Sequence, residues 1–230
     1  MKNLVKLLGF LKFSGSSQIK DILLRFKEGK VSAYVTSPDR VCAVKVENFD
    51  SGLNIGENIS INKVSLFENL LKRFDSLKVE GEKLLFKKEG KTALLKMVSF
   101  VDSDVKEEKF NDWIKKVKEG DFIEIKVKGD KIKEILEEGR VIKANEITID
   151  VGKKIFLVLE DGEGNYIKHE LAENKSKKEY KVKFFTPFLD VLECIKEVNS
   201  KLYINRSAPL LIEVDDFPIT YLIASRMEES

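Results

Sequence analysis

Cysteine and histidine are scarce in this chain of 230 residues, which holds two cysteines, Cys42 and Cys194, and a single histidine, His169. Two thiols so far apart form neither a zinc-ligand spacing nor the framework of a disulfide-stapled secreted domain, and they imply a reducing, intracellular setting. Long apolar runs are missing too. Nowhere do roughly 18 apolar residues follow one another, the length a membrane-spanning helix needs. The short run from Leu4 to Leu11 is interrupted by Lys6 and followed by no small-residue cleavage site, so no signal peptide is expected. There is no excess of charge of one sign, since 41 Lys and Arg face 39 Asp and Glu. That excludes a wholesale polycation but not a nucleic-acid binder, which needs its positive charge on one surface only.

The equipment for catalysis is sparse as well. His169 sits in a strand pattern with no Cys or Asp constellation near it in sequence, and reads as a surface strand residue. Glu137-Glu138 and Asp215-Asp216 are short like-charge pairs, usually solvated helix or turn faces rather than metal ligands. No glycine-rich phosphate loop followed by Lys and Ser or Thr occurs. The expectation is therefore no enzyme, no cofactor and no metal. Abundant Lys and Glu beside few Cys, Met and His is a composition of proteins from hot habitats, and equally of low-GC genomes.

What is present is a core: 43% of the residues are hydrophobic, enough for one large domain or two of about 100 residues each. Apolar residues at i, i+3, i+4 and i+7 mark one face of a helix at Leu4, Leu7, Leu8, Leu11; at Phe67, Leu70, Leu71, Phe74; at Phe110, Trp113, Ile114, Val117; and at Phe188, Val191, Leu192, Ile195. A shorter set, Ile132, Ile135 and Leu136, ends at Gly139, a C-cap candidate. Ser65 with Glu68 has the form of a capping box, and Thr186-Pro187 that of an N-cap before proline. Between the helices the pattern predicts strands at 22–26, 31–35, 41–46, 77–79, 84–87, 92–98, 146–150, 154–159, 165–171, 201–205, 209–214 and 218–223. The order amounts to four units, each a short helix followed by antiparallel strands, arranged as two pairs. A polar stretch from Ser99 to Asp121 divides them. This is an α+β reading with domains at 1–100 and 122–230 and a connector at 101–121; one α+β domain with a helical insertion is the alternative.

The ending Ala208-Pro209-Leu210-Leu211-Ile212-Glu213-Val214, then Ile219-Thr220-Tyr221-Leu222-Ile223-Ala224-Ser225-Arg226-Met227-Glu228, resembles that of the DNA sliding clamps of the proliferating cell nuclear antigen family. Ser37-Pro38-Asp39-Arg40-Val41 is similar to a turn common in archaeal members, and Glu163-Gly164-Asn165-Tyr166-Ile167-Lys168 to the approach to an edge strand. These fragments fall in register along nearly the whole chain, and the early first helix looks more like a phage-type clamp. Thr36 stands where the family has Met and Ser225 where it has Pro. The connector carries an amphipathic helix instead of an extended strand.

The resemblance implies two similar clamp domains, each with two short helices backed by antiparallel sheets, assembling as a trimeric ring around double-stranded DNA without sequence specificity. One helix per unit would line the hole, with Lys2, Lys6, Lys12, Lys72, Arg73, Lys131, Lys133 and Lys196 facing phosphates, contacts that attract DNA without reading bases. Val41, Pro209, Tyr221, Ala224 and Ser225 would border a pocket for DNA polymerase and other proteins with a clamp-binding motif, which Phe110, Trp113 and Ile114 either close or occupy. Thr92, Leu94 and Lys96 of one subunit would pair with Tyr166 and Lys168 of the next. A clamp loader is the further partner implied, and the site of action is cytoplasmic, at an archaeal or viral replication site, or nuclear in a eukaryote. The function implied is a processivity factor for replication and repair. The alternatives are a monomeric DNA-binding polymerase accessory factor, or a clamp paralogue acting as a scaffold, and homotrimer and heterotrimer read alike.

Overall fold

The computed structural model describes residues 1–13, 19, 21–98 and 107–226. The start of the expected connector, with Asp102, Asp104 and Lys106, and the ending from Met227 onward lie outside the described residues. The first half runs α1 (Lys2–Leu11), β1 (Ile22–Lys27), β2 (Lys30–Thr36), β3 (Cys42–Asp50), β4 (Ile59–Ile61), α2 (Val64–Arg73), β5 (Ser76–Glu80), β6 (Lys83–Lys88) and β7 (Lys91–Lys96). After α3 (Glu107–Glu119) come β8 (Ile123–Val127), α4 (Gly129–Val141), β9 (Glu146–Val151), β10 (Lys154–Glu160), β11 (Tyr166–Glu173) and β12 (Tyr180–Phe184). Then follow α5 (Pro187–Ile195), β13 (Ser200–Ile204), β14 (Leu210–Val214), β15 (Ile219–Ile223) and β16 (Ser225–Arg226). The expected α+β class and the order of helix followed by strands hold, while β4, β8, β12 and β16 were not anticipated.

The strands form three antiparallel sheets, in the orders β4-β1-β2-β3-β15-β14-β13-β8, β11-β10-β9-β12-β16 and β5-β6-β7. The largest is not confined to one half of the chain. Val44 of β3 pairs with Tyr221 of β15, so strands from both halves make one continuous sheet. The β1–β2 hairpin turns on Glu28 and Gly29, both at positive φ (51° and 77°), as a two-residue primed turn demands.

Alternation sorts the large sheet into two faces. Val35, Val44, Ile212, Leu202 and Tyr221 enter the main core with the helices, while their neighbours Tyr34, Ala43, Leu211, Tyr203 and Leu222 join a second cluster beneath α3. On the main-core side α1 packs against α2 and α5, and α4 against α5, giving a row α2-α1-α5-α4. Leu4, Leu7, Leu8 and Leu11 are each fully buried, and burial of such a side chain contributes about 1.5–3 kcal/mol. Gly129 opens α4 where a Cβ would lie 2.9 Å from the Lys196 carbonyl oxygen, so only glycine lets α4 start this close to the end of α5.

Two expected caps are corrected, and the third, Thr186 before Pro187, holds in position without a side-chain cap. Lys63, not Ser65, is the N-cap of α2, and no side chain caps that end; the Glu68 carboxylate is drawn instead to Lys12 and Lys72. Gly139 lies inside α4, which continues to Val141, and its missing side chain makes room for Leu159 Cδ1, 3.2 Å from where a Cβ would stand. Thr186 does precede Pro187 at the start of α5, but its hydroxyl donates to the Asn145 carbonyl at 3.2 Å rather than capping the helix.

Candidate DNA and partner interfaces

The helix row carries its charge unevenly. Lys2, Lys6, Lys12, Lys72 and Arg73 stand exposed on or beside α1 and α2. Lys2 and Arg73 make no ion pair among the described residues, and Lys6 Nζ lies 4.1 Å from the centre of the Phe217 ring. Glu68 is pushed up by burial, but hydrogen bonds from Lys72 and Lys12 outweigh this and hold its carboxyl below the usual range. On α4, Lys131 meets Glu134 at 2.9 Å and Lys133 meets Glu197 at 3.1 Å. After α5, Lys196 pairs with Glu193, which also takes Arg140 at 2.6 Å. Cations outnumber anions along α1 and α2, and anions outnumber cations along α4 and α5. Lys131, Lys133 and Lys196 are therefore half-exposed and neutralised by their own row, although such surface pairs are worth only about 0–1 kcal/mol and exchange readily.

The opposite face of the large sheet is crossed by α3. Thirteen helical residues span about 20 Å, close to the roughly 24 Å from β1 to β13 at the usual strand spacing, so α3 lies across the strands. Its start is held by Glu107, 3.0 Å from Arg25 on β1 and 3.6 Å from Lys45 on β3. Lys45, only 7% exposed, also donates to Asn111 Oδ1 at 2.8 Å and pairs with Glu47 at 2.6 Å. Phe110 meets the Tyr34 ring edge-on, centroids 5.3 Å apart, and Val117 is buried in the same cluster as Leu211, Leu222 and Tyr203. At the far end Lys118 pairs with Glu213, which accepts from the Tyr203 hydroxyl at 2.7 Å; burial and then this hydrogen bond raise the Tyr203 pKa. Phe110 thus occupies the sheet face, Ile114 packs at its border, and Trp113 remains 41% exposed.

At one edge of this surface the turn after β2 meets the C-terminal strand. The Val41 carbonyl accepts from the Ala224 amide at 2.8 Å, Pro209 lies one residue before the Leu210–Ile223 pair, and Ser225 pairs with Phe184. Val41, Pro209, Ala224 and Ser225 are half-buried together here. Tyr221 is not among them: it is fully buried on the helix side, its hydroxyl donating to the Phe10 carbonyl at 2.7 Å. The side chain that faces α3 is its neighbour Leu222, one residue out of phase.

His169 also departs from expectation. It is 3% exposed on the inward face of β11, with Nδ1 3.7 Å from Glu134 and Nε2 3.3 Å from Glu138. Burial and then Lys131 lower its pKa, against the pull of the two carboxylates.

Among the described residues β7 and β11 are end strands of their sheets, as are β4, β5, β8 and β16. Thr92, Leu94 and Lys96 lie on the outer face of β7, and Tyr166 and Lys168 on that of β11, where Lys168 reaches Asp150 at 3.0 Å. Leu94 is 57% and Tyr166 65% exposed. α4, which packs against β11, exposes Val141, and α2, which meets the β7 sheet through Phe67 and Phe86 of β6, exposes Leu66.

No protein-family model matches the sequence, and no curated protein matches it. Solved structures do. A PCNA2–PCNA3 complex from Sulfolobus tokodaii superposes with a TM-score of 0.69 at 15% identity, over 98% of this chain and 96% of that one. PCNA from Thermococcus kodakaraensis gives 0.68 at 15%, over 98% and 96%. Proliferating cellular nuclear antigen from Entamoeba histolytica gives 0.71 at 15%, over 98% and 95%. The chain has the PCNA-type sliding-clamp fold.

Within this clamp fold, several residues of the candidate surfaces were not anticipated. Tyr34, Leu211, Leu222 and Tyr203 form the strip under α3, and Arg25, Lys45, Glu107 and Asn111 anchor it. Strict alternation along β15 would have pointed to Leu222 once Tyr221 was assigned inward. Nothing in the sequence pairs Lys45 with Asn111, which are brought together only by the crossing of α3 over β3. Among the described residues the chain has no group of three or more metal-ligating side chains, and no helix long and apolar enough to cross a membrane.

Proposed function

We propose that the chain is the subunit of a ring that encircles duplex DNA and tethers DNA polymerase and other replication and repair proteins to it, with no catalytic step of its own. One observation carries this reading. Of the five large apolar side chains exposed among the described residues, Leu66 and Leu94 sit on α2 and β7, and Val141 and Tyr166 on α4 and β11. Since α2 and α4 are the two ends of the helix row, these apolar groups and open strand edges collect at opposite ends of the subunit. Unpaired edges seek partners. A joint between unlike ends is head-to-tail, and such a contact builds a ring when its rotation closes and an open filament when it does not; the proposed ring is the closed case.

In that ring the helix row faces the DNA. Lys2, Lys6, Lys12, Lys72 and Arg73 supply the phosphate contacts, with Lys131, Lys133 and Lys196 contributing as their carboxylate pairs exchange. A surface this nearly balanced grips weakly, which suits topological retention and speaks against a monomeric accessory factor held by charge alone. Three subunits of two similar domains would complete the ring. The half-buried group Val41, Pro209, Ala224 and Ser225, beside the strip under α3, is the docking surface for partner peptides.

The test has two arms. Light scattering over a concentration series is expected to give about three times the subunit mass of 26.3 kDa. A persistent monomer, with no related chain completing it, sinks the ring. The assembled protein should be retained on nicked circular DNA and lost when the same DNA is linearised; equal loss from both means that the DNA is not encircled.

A further inference from the structure

We infer that α3 is a resident ligand of the clamp's own docking strip, and that the strip takes partner segments of the same chemistry by displacing it. The inference rests on the docking reading above and adds what the partner looks like and what it must remove. The strip is apolar along its length: Ala43, Leu222, Leu211 and Tyr203 are in register across β3, β15, β14 and β13, and Tyr34 of β2 joins the same cluster two residues off that row. Two cations, Arg25 and Lys45, mark one end. On this surface α3 presents Glu107 to the cations, Phe110 to Tyr34, and Ile114 and Val117 to the aliphatic part. The complementary occupant is therefore a helical segment with an acidic residue, an aromatic one three positions on, and aliphatic ones seven and ten positions on. All three features are properties of the surface, so a segment carried by another protein would find the same partners.

Displacement is physically reasonable because α3 is fastened lightly for a helix in this position. Only Phe110 and Val117 of its thirteen residues are buried. Its ionic ties end on exposed or half-exposed carboxylates, with Glu107 at 39% side-chain exposure and Glu213 at 28%. Trp113, the sole tryptophan of the chain, is 41% exposed on the seated helix, so loss of the remaining cover on displacement makes its emission a reporter of whether α3 stays seated.

The test uses the full-length protein and a fluorescein-labelled peptide with the chain's own sequence from Glu107 to Glu119, Phe replacing Trp113. Wild type should bind the peptide weakly, and Phe110→Ala/Val117→Ala at least tenfold more tightly. Glu107→Gln/Asn111→Ala, which touches no buried apolar group, should also bind more tightly and guards against a core variant that fails to fold. Adding Lys45→Glu to either background should abolish the gain. With excess unlabelled peptide, the Trp113 emission of wild type should change as α3 leaves. Equal binding by wild type and both loosened variants, or no binding by any of them, overturns the inference. Light scattering on the same samples separates the two readings: a monomer that shows the competition sinks the ring and keeps the displaced helix, and a ring that shows none does the reverse.

Discussion

His169 and Lys45 show what a single buried polar group does here. The His169 imidazole is enclosed by β11 and α4, facing Glu134, Glu138 and Lys131 of that helix. Its pKa is lowered from the ordinary 6.5, so the unfolded chain takes up a proton at a higher pH than the folded one. Stability should consequently fall as the pH drops below about 6.5 and be flat above it. His169→Gln should remove that slope, read as the difference in Tm between pH 7.5 and 5.5; an unchanged slope would assign it to other groups. Glu68, held below its usual range, acts in the same direction in a lower window: its contribution is complete above about 4.5 and is lost as the pH falls further. Lys45 is buried, yet its partners Glu47 and Glu107 reach water, with side-chain exposures of 62% and 39%. Lys45→Met should therefore cost only about 1 kcal/mol in urea denaturation, not the 3–5 kcal/mol of a pair buried on both sides. The sequence offered His169 as an isolated strand residue, and its burial follows from α4 crossing over β11.

At the scale of the element, the apolar spacing of α1, α2, α3 and α5 was legible because a helix buries one stripe, and that stripe is written at i, i+3, i+4 and i+7. The capping box at Ser65 was not a reliable sign, because Glu68 is worth more between Lys12 and Lys72 than reaching back to its own backbone. β8 carries the alternation Ile123-Glu124-Ile125-Lys126-Val127 and was readable, but it stands just past the connector and was not among the expected strands. Gly129 gives the sharpest element-level prediction. Alanine there gains at most about 1 kcal/mol of helix propensity, but it must push either the Lys196 carbonyl or the Val198 amide, 2.9 and 3.0 Å from its Cβ. Gly129→Ala should destabilise by roughly 1–3 kcal/mol, seen as a lower Tm, whereas alanine at Gly9, with nothing within 4 Å, should not. A Gly129→Ala protein as stable as wild type would show that α4 and α5 slide apart freely.

For the whole molecule, the decisive quantities are where the open edges and the charges lie. Leu94→Glu with Tyr166→Glu should lower the mass in solution to that of a monomer while leaving the circular dichroism unchanged, since both side chains already face water in the subunit. Lys72→Glu with Arg73→Glu should weaken retention on circular DNA and leave assembly intact. The corresponding change at Lys131 and Lys133 should do less, because Glu134 and Glu197 already neutralise them. By itself the sequence determined the α+β class, the helix-and-strands order and which helix faces are apolar, because those depend on periodicities of a few residues that any segment carries locally. Only the tertiary structure decided that both halves share one sheet, that Leu222 and not Tyr221 faces outward, and that α3 lies on the strip. Each of these is set by contacts between residues far apart in the chain, and a shift of a single residue in strand phase moves a side chain from one face of a sheet to the other.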